Sequence, residues 1–135
     1  IPDYLHRAND EVCLLIQVES TRALDSLAEI LKVEGVDGVF IGPSDLSASM
    51  GHVGNAGHSD VVKTIEQTIQ AIIKTGKAAG ILAIDPDQAR HYVQQGASFV
   101  GVGVDTLLLR NSASALASSF KSAGESTTDK PKTGY

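Results

Sequence analysis

Short aliphatic segments alternate with amphipathic helical segments along this chain, and the alternation limits the folds open to it. Nearly unbroken runs of aliphatic and β-branched residues are typical of strands that are covered on both faces. The sequence gives no hairpin signal between successive runs, so the strands are predicted to lie parallel and to be joined by helical crossovers. The predicted strands are residues 12–18, 36–42, 78–84 and 98–104.

Capping residues mark the ends of the predicted helices. Ser20 is placed to cap a helix that ends at Gly35, and Ser59 to cap one that ends at Gly76. Asp85, which is followed by proline, starts the helix before the last strand. The other predicted segments are the end of a helix at 2–9, a long connection over 44–58 with one helical turn at 45–50, and a last helix over 106–122.

Four βα units amount to half of a (β/α)8 barrel, for which about 250 residues are typical. The predicted fold class is therefore α/β, with parallel βα units that form half of a TIM barrel. The main alternative is an isolated flavodoxin-like sheet, but its glycine-rich phosphate loop is not found after the first strand. We expect residues 1–123 to form the half-barrel and residues 124–135 to be a polar, disordered tail.

Composition argues against two classes of partner. The 135 residues carry a net charge of −5 with scattered basic residues, so we expect no nucleic-acid or anionic membrane partner. No apolar run approaches the ~20 residues of a membrane-spanning helix. The lone Cys13 is predicted to be a buried, inert thiol within a strand, which fits a reducing, cytoplasmic compartment. The start at Ile1 is expected to be an interior point of a longer product, or the end of a processed chain.

Two carboxylates stand where predicted strands leave the sheet. Glu19 closes the first strand, and Asp45 follows the second after the rigid turn at 42–43. The carboxyl ends of parallel strands form the rim at which ligands bind. Asp85 and Asp105 are read as helix caps, whereas Glu19 precedes a helix that already has a serine cap. Two hard oxygen ligands on adjacent strands suit Mg²⁺ or Mn²⁺; on spacing alone, a metal site and a purely structural role both stay open.

Several longer motifs resemble one known family. They are residues 17–20, 33–46, 55–58, 76–80 and 96–105. Together they are similar to the HpcH/HpaI aldolases, the class II pyruvate aldolases, and the resemblance extends to about residue 121. It covers only the second half of the barrel of that family, which is of the phosphoenolpyruvate/pyruvate type.

The resemblance implies a function and a set of site residues. Members are metal-dependent carbon–carbon lyases that cleave a 4-hydroxy-2-oxo acid, such as 4-hydroxy-2-oxoheptanedioate or 2-dehydro-3-deoxyglucarate, into pyruvate and an aldehyde. It implies a Mg²⁺, Mn²⁺ or Co²⁺ cofactor, a homo-oligomer (a hexamer in the family), and a place in the catabolism of aromatic compounds. The implied metal ligands are Glu19 and Asp45, and the implied substrate-binding residues are Gln17, Gly42, Pro43, Ser44, Leu82 and Val104.

The catalytic base is not implied within this chain. The family's histidine base, its aspartate partner and its substrate-binding arginine lie in the other half of the barrel, so the chain alone is expected to be inactive. His52 and His58 follow Asp45 closely enough to be considered as substitutes, although loop histidines more commonly face solvent or a neighbouring subunit. The alternatives are a non-catalytic remnant or assembly module of the same fold, and a citryl-type lyase, which would need basic residues near the rim.

Overall fold

The computed structural model describes residues 2–121, so the predicted tail at 124–135 lies outside the described residues. The helices are α1 (Tyr4–Glu11), α2 (Thr21–Asp25), α3 (Leu27–Lys32), α4 (Pro43–Ser49), α5 (Ser59–Ile73), α6 (Pro86–Gln94) and α7 (Asp105–Ser119). The strands are β1 (Leu15–Val18), β2 (Gly38–Ile41), β3 (Ala78–Leu82) and β4 (Phe99–Gly101).

The sheet is parallel throughout, and its four strands follow the order β1-β2-β3-β4, so each strand pairs with the next along the chain. A flavodoxin-like sheet instead reverses its strand order at a switch point and carries helices on both faces. Sequential order is the arrangement of strands in a (β/α)8 barrel. The predicted fold class, parallel βα units forming part of a TIM barrel, is confirmed.

The core lies between one face of the sheet and the helices. Strand residues Val39, Ile41 and Ile81 are fully buried, together with Ile65 and Ile69 of α5. Helix α5 packs against β2 and β3, and α6 packs against β4. Fully burying an aliphatic side chain of this size stabilises the fold by about 1.5–3 kcal/mol. The helices thus cover one face of the sheet, and the opposite face is the one that would line a barrel interior.

Aromatic rings occupy that opposite face around a glycine. Phe40, Gly80 and Phe99 are in register on adjacent strands, and Gln17 of β1 lies in the same row. The two phenyl rings meet edge to face with their centroids 5.7 Å apart. A Cβ at Gly80 would lie 2.8 Å from Phe40 Cδ2 and 3.0 Å from the Phe99 carbonyl oxygen, so glycine makes room for the ring pair.

Several local predictions differ from the structure. The helix predicted after Ser20 is broken at Ser26, whose ψ of 0° departs from α geometry. The stretch predicted as a loop with one helical turn contains the seven-residue helix α4. Helix α5 is capped by His58 rather than Ser59, because the His58 ring accepts the Asp60 N–H.

Burial was also overestimated at the two ends of the chain. Cys13 is exposed and precedes β1, so the prediction of a buried thiol inside a strand was wrong. Apolar residues of the last helix, among them Leu108 and Leu116, are exposed as well. None of the residues of α7 is buried against the described part of the chain.

Candidate functional site

Gln17 and Glu19 lie two residues apart at the end of β1, so they share one face of the sheet. Gln17 Nε2 donates a 2.6 Å hydrogen bond to Glu19 Oε2, which fixes the orientation of the carboxylate. The carboxylate packs against Gly42 on the neighbouring strand end. A Cβ at Gly42 would lie 3.0 Å from both Glu19 Cβ and Glu19 Oε2, and 3.1 Å from Gln17 Nε2. Gly42 therefore leaves the space that the Gln17–Glu19 pair occupies.

Asp45 lies in the first turn of α4, the helix that begins at Pro43 directly after β2. Proline suits this position because its missing N–H would have no partner within the helix. The positive end of the helix backbone favours a carboxylate in the first turn. The Thr21 N–H at the start of α2 donates to Ser49 Oγ at 3.0 Å, which ties the segment after Glu19 to the helix that carries Asp45.

A cavity of about 410 Å³ opens at the carboxyl ends of the strands. Its polar and apolar walls come from β1, β2, β3 and the segments that follow them. All residues predicted for the site line this cavity except Glu19. Glu19 lies behind the wall, in contact with the lining residues Gln17 and Gly42. The predicted lining residues are Gln17, Gly42, Pro43, Ser44, Asp45, Leu82 and Val104. The structure thus brings the predicted set together at one rim.

Not every residue of the turn at 42–44 has a backbone N–H group free to bind a ligand. The Gly42 N–H donates to the Val18 carbonyl at 3.1 Å, and Pro43 has no N–H. Ser44 is the one residue of the turn whose amide lies in the first turn of a helix, where no intrahelical acceptor exists. Any anion that this turn binds is therefore held by the Ser44 amide and the amides that follow it.

Sequence reasoning missed several residues that line the cavity. Gln88 reaches it from the first turn of α6, and Ala56 reaches it from the connection between α4 and α5. Phe40 could have been found from the sequence, because alternate residues of a strand lie on the same face and Phe40 is two residues before Gly42. Tyr92, which is almost completely buried, closes one side; burial raises the pKa of its phenol above 10.0, and the nearby Glu66 carboxylate raises it further. The remaining lining residues are Ala83, Ile84, Thr106 and Leu107.

Two other groups of basic side chains lie away from the cavity. Lys77 precedes β3, at the amino end of the sheet, and its ammonium donates to the carbonyls of Val33 and Val36. His52 and His58 lie in the connection before α5, with their rings stacked 3.6 Å apart, and neither lines the cavity.

Within residues 2–121, none of the helices combines the length and hydropathy that a bilayer crossing requires.

The fold and the rim together define the class of protein. Sequential parallel βα units with a cavity at the carboxyl ends of the strands are the architecture of a partial (β/α)8 barrel. Residues 1–112 match the family model described as HpcH/HpaI aldolase/citrate lyase, and the chain belongs to this family. The predicted family is confirmed.

Named relatives agree with this assignment. The chain is 60% identical over 121 residues to the hydroxypyruvate/pyruvate aldolase of Deinococcus radiodurans, which covers 90% of this chain and 44% of the relative. It is 53% identical over 135 residues to the 4-hydroxy-2-oxo-heptane-1,7-dioate aldolase of Klebsiella pneumoniae, covering 100% of this chain and 51% of the relative. The chain therefore spans about half the length of the curated relatives that it matches.

A solved structure shows the same fold. The crystal structure of an HpcH/HpaI aldolase/citrate lyase family protein from Burkholderia cenocepacia J2315 superposes with a TM-score of 0.79 at 39% sequence identity. The match covers 89% of this chain and 47% of that protein. The sheet and its helices are thus the family fold over roughly half of its length.

Proposed function

We propose that this chain provides the metal- and carboxylate-binding part of a class II aldolase. The reaction would be cleavage of a 4-hydroxy-2-oxo acid, such as 4-hydroxy-2-oxoheptanedioate, into pyruvate and an aldehyde. The observation that carries the proposal is the Glu19 carboxylate, oriented by Gln17 and packed against Gly42 beside a cavity that Asp45 lines. Membership of an aldolase family supports it. The names of two relatives support it too, because each contains a 2-oxo acid.

The donor set fits a hard divalent cation such as Mg²⁺, Mn²⁺ or Co²⁺. Glu19 and Asp45 offer carboxylate oxygens, the ligands that these cations prefer, and the adjoining cavity has room for water or substrate oxygens. When bound, the cation supplies Lewis acidity toward the carboxylate and keto oxygens of a 2-oxo acid. The residues of the chain bind and orient the 4-hydroxy-2-oxo acid.

Each remaining site residue has a role that follows from its position. Gln17 holds the Glu19 carboxylate through the 2.6 Å hydrogen bond. The Ser44 amide, in the first turn of α4, binds the substrate carboxylate, as helix N-termini bind anions. Leu82 and Val104 form an apolar wall that excludes water, which strengthens the electrostatic interactions in the cavity.

Binding of Mn²⁺ tests the proposal directly. We would titrate the full chain with Mn²⁺ in the presence and absence of pyruvate and follow the free ion by electron paramagnetic resonance. We expect weak binding that pyruvate tightens, and a loss of at least about tenfold in affinity in Glu19→Gln and in Asp45→Asn, since even outer ligand partners are worth 10–100-fold. The matched control is Glu34→Gln, an exposed carboxylate in the turn before β2. Unchanged affinity in both site variants would contradict the proposal.

Catalysis needs a group that accepts the proton of the substrate's 4-hydroxyl. Among residues 2–121, no histidine lines the cavity. We therefore propose that the base lies outside this chain, and that the 135 residues alone release no pyruvate above background from 4-hydroxy-2-oxoheptanedioate. An assay coupled to lactate dehydrogenase measures this, and a rate equal to that of a complete barrel would refute it.

Two alternatives are outcomes of the same experiments. A chain that folds but binds neither Mn²⁺ nor pyruvate would be a non-catalytic assembly module of the same fold. Tighter binding of 2-dehydro-3-deoxyglucarate than of 4-hydroxy-2-oxoheptanedioate to the Mn²⁺-loaded chain would change the proposed substrate and leave the proposed chemistry unchanged. The proposal also includes a cytoplasmic location, a place in aromatic compound catabolism, and a homo-oligomeric, hexameric assembly, which are supported by the resemblance to the family.

A further inference from the structure

A second group of metal-ligating side chains lies outside the cavity, in the connection between α4 and α5. His52, His58 and Asp60 each offer one ligand atom, and these atoms all lie within 4.8 Å of one another. The loop that carries the histidines is held by backbone bonds from His52 N–H to the Ser47 carbonyl at 2.7 Å and from His58 N–H to the Asn55 carbonyl at 3.1 Å. The three side chains are thus brought together by an ordered loop.

Helix capping explains only part of this cluster. His58 Nδ1 accepts the Asp60 N–H at 3.2 Å, so His58 caps α5 and its proton is assigned to Nε2. Nδ1 has a single lone pair, so an ion that binds His58 at this atom replaces the Asp60 N–H there. His52 stacks on His58 with an interplanar angle of 16°, and its ring makes no hydrogen bond to the described part of the chain. The His52 imidazole therefore has a free ligand atom beside His58 and Asp60.

The spacing of the ligand atoms is close to what one ion requires. His58 Nδ1 and Asp60 Oδ2 are 3.7 Å apart, and neighbouring ligands of a tetrahedral Zn²⁺ with bonds of about 2.0–2.1 Å lie about 3.3 Å apart. Stacked rings hold their nitrogen lone pairs in parallel planes, so the His52 ring must turn about its side-chain bonds to aim at the same point. His52 and His58 are half-buried and Asp60 is exposed, which leaves the cluster open to an ion from solvent.

We propose that His52, His58 and Asp60 form a second, separate metal site that takes a borderline transition-metal ion of the Zn²⁺, Ni²⁺ or Cu²⁺ class. Two imidazoles and one carboxylate favour such ions over Mg²⁺, whereas the two carboxylates Glu19 and Asp45 favour Mg²⁺ or Mn²⁺. The Asp60 carboxylate offsets the positive end of α5 at the site. The ion would link the loop to the first turn of α5.

The site has a consequence for the cavity. Ala56 lies in the loop between the two histidines and lines the cavity, so an ion that joins His52 to His58 and Asp60 restrains one cavity wall. The second site would therefore hold the loop in place rather than take part in chemistry.

Zn²⁺ titration of the metal-free full chain by calorimetry tests the proposal. We expect this site to bind one Zn²⁺ per chain and to be weakened at least about tenfold in His52→Gln and in Asp60→Asn, while the carboxylates of Glu19 and Asp45 account for a second Zn²⁺. The matched control is His6→Gln, which removes an exposed histidine from α1 and should leave Zn²⁺ affinity unchanged. Glu19→Gln should leave the affinity of the His52, His58 and Asp60 site unchanged and weaken only the second Zn²⁺, which separates this site from the proposed aldolase site. Equal Zn²⁺ affinity in the wild type and His52→Gln, or loss of both Zn²⁺ ions in Glu19→Gln, would overturn the proposal.

Co²⁺ bound in place of Zn²⁺ reports the geometry of the site through its visible absorption, which does not depend on the stability of the fold. A tetrahedral nitrogen and oxygen site gives intense visible absorption, whereas an octahedral oxygen site gives weak bands. We expect the intense band in the wild type and in Glu19→Gln, and its loss in His52→Gln with an unchanged circular dichroism spectrum. An intense band that persists in His52→Gln would rule out the site.

Discussion

At Gly42 the chain passes within van der Waals distance of Glu19, and any side chain there would meet the carboxylate. The φ of Gly42 is −100°, which any residue can adopt, so the need for glycine comes from close approach rather than from backbone freedom. The nearest atoms are Glu19 Cβ and Oε2 and Gln17 Nε2. The geometry of the candidate metal ligand thus depends on the absence of one carbon atom on the adjacent strand.

We predict that Gly42→Ala weakens Mn²⁺ binding by about tenfold while the fold persists, because a displaced first ligand costs at least as much as a lost outer partner. The added Cβ displaces the Glu19 carboxylate, whose flexible end can move. The free energy of unfolding should therefore fall by only about 1 kcal/mol. Mn²⁺ titration and urea unfolding measure the two effects. Gly57→Ala is the control, since a Cβ there would lie 4.0 Å from the nearest atom, Asn55 Oδ1. Unchanged Mn²⁺ affinity in Gly42→Ala would show that Glu19 is not a ligand.

Tyr92 should make the fold sensitive to alkaline pH. Burial, and then the Glu66 carboxylate, raise the pKa of this phenol above 10.0 in the folded state. The folded state therefore holds the proton more tightly than the unfolded state. The resulting stabilisation is complete below about pH 10 and is lost as the pH rises through the raised folded pKa.

We predict that Tyr92→Phe removes this part of the pH dependence. The free energy of unfolding of the wild type should fall more steeply between about pH 9 and pH 11 than that of the variant. Urea unfolding at several pH values measures the two slopes. Tyr4→Phe makes the same chemical change at an exposed position of α1 and should keep the wild-type slope. Equal slopes in wild type and Tyr92→Phe would refute the prediction.

Among the helices, the caps predicted at Ser20 and Asp85 are confirmed, whereas the cap predicted at Ser59 is not. Ser20 Oγ accepts the Ala23 N–H at 3.2 Å, and Asp85 Oδ1 accepts the N–H groups of Asp87 at 3.0 Å and Gln88 at 2.9 Å, as the sequence predicted. Ser59 was predicted to cap α5 because serine is a preferred cap. His58 takes that place because its Nδ1 also accepts a backbone N–H.

Removal of the Asp85 cap should destabilise the protein measurably. We predict that Asp85→Ala lowers the free energy of unfolding by about 1 kcal/mol, whereas Asp85→Asn, which keeps an acceptor, costs much less. Thermal or urea unfolding measures the difference. Asp87→Ala is the control, because its ion pair with Arg90 is exposed and worth little. An Asp87→Ala cost equal to that of Asp85→Ala would argue against the cap as the cause.

For the molecule as a whole, the sheet has two open edges. β1 pairs only with β2, and β4 pairs only with β3, within the described residues. Apolar side chains lie near both edges: Leu14 before β1 is 45% exposed and Phe99 in β4 is 54% exposed. Unpaired edges with exposed apolar residues favour association with further strands.

We predict that the isolated chain self-associates or aggregates, which multi-angle light scattering measures. Val102→Lys, directly after β4, should reduce association because charge at an open edge blocks strand pairing. Val53→Lys in the loop before α5 is the control, since Val53 is 81% exposed but belongs to no strand of the sheet. A sharp monomer peak for the wild type over a range of concentrations would contradict the prediction.

The sequence by itself determined the alternation of strands and helices, the parallel sheet and the caps at Ser20 and Asp85. These features depend on the period of apolar residues and on contacts within a few residues, which the sequence states directly. It also placed Glu19 and Asp45 at strand ends. Their metal-binding role stays a prediction, because spacing along the chain does not fix the distance between side chains.

Only the tertiary structure decided which residues meet. The close approach of Gly42 to Glu19 and the position of Gln88 beside the cavity bring together residues on different elements. The break at Ser26 and the exposure of Cys13 also depend on packing. Such contacts are set by the register and curvature of the sheet, and local periodicity carries no information about either.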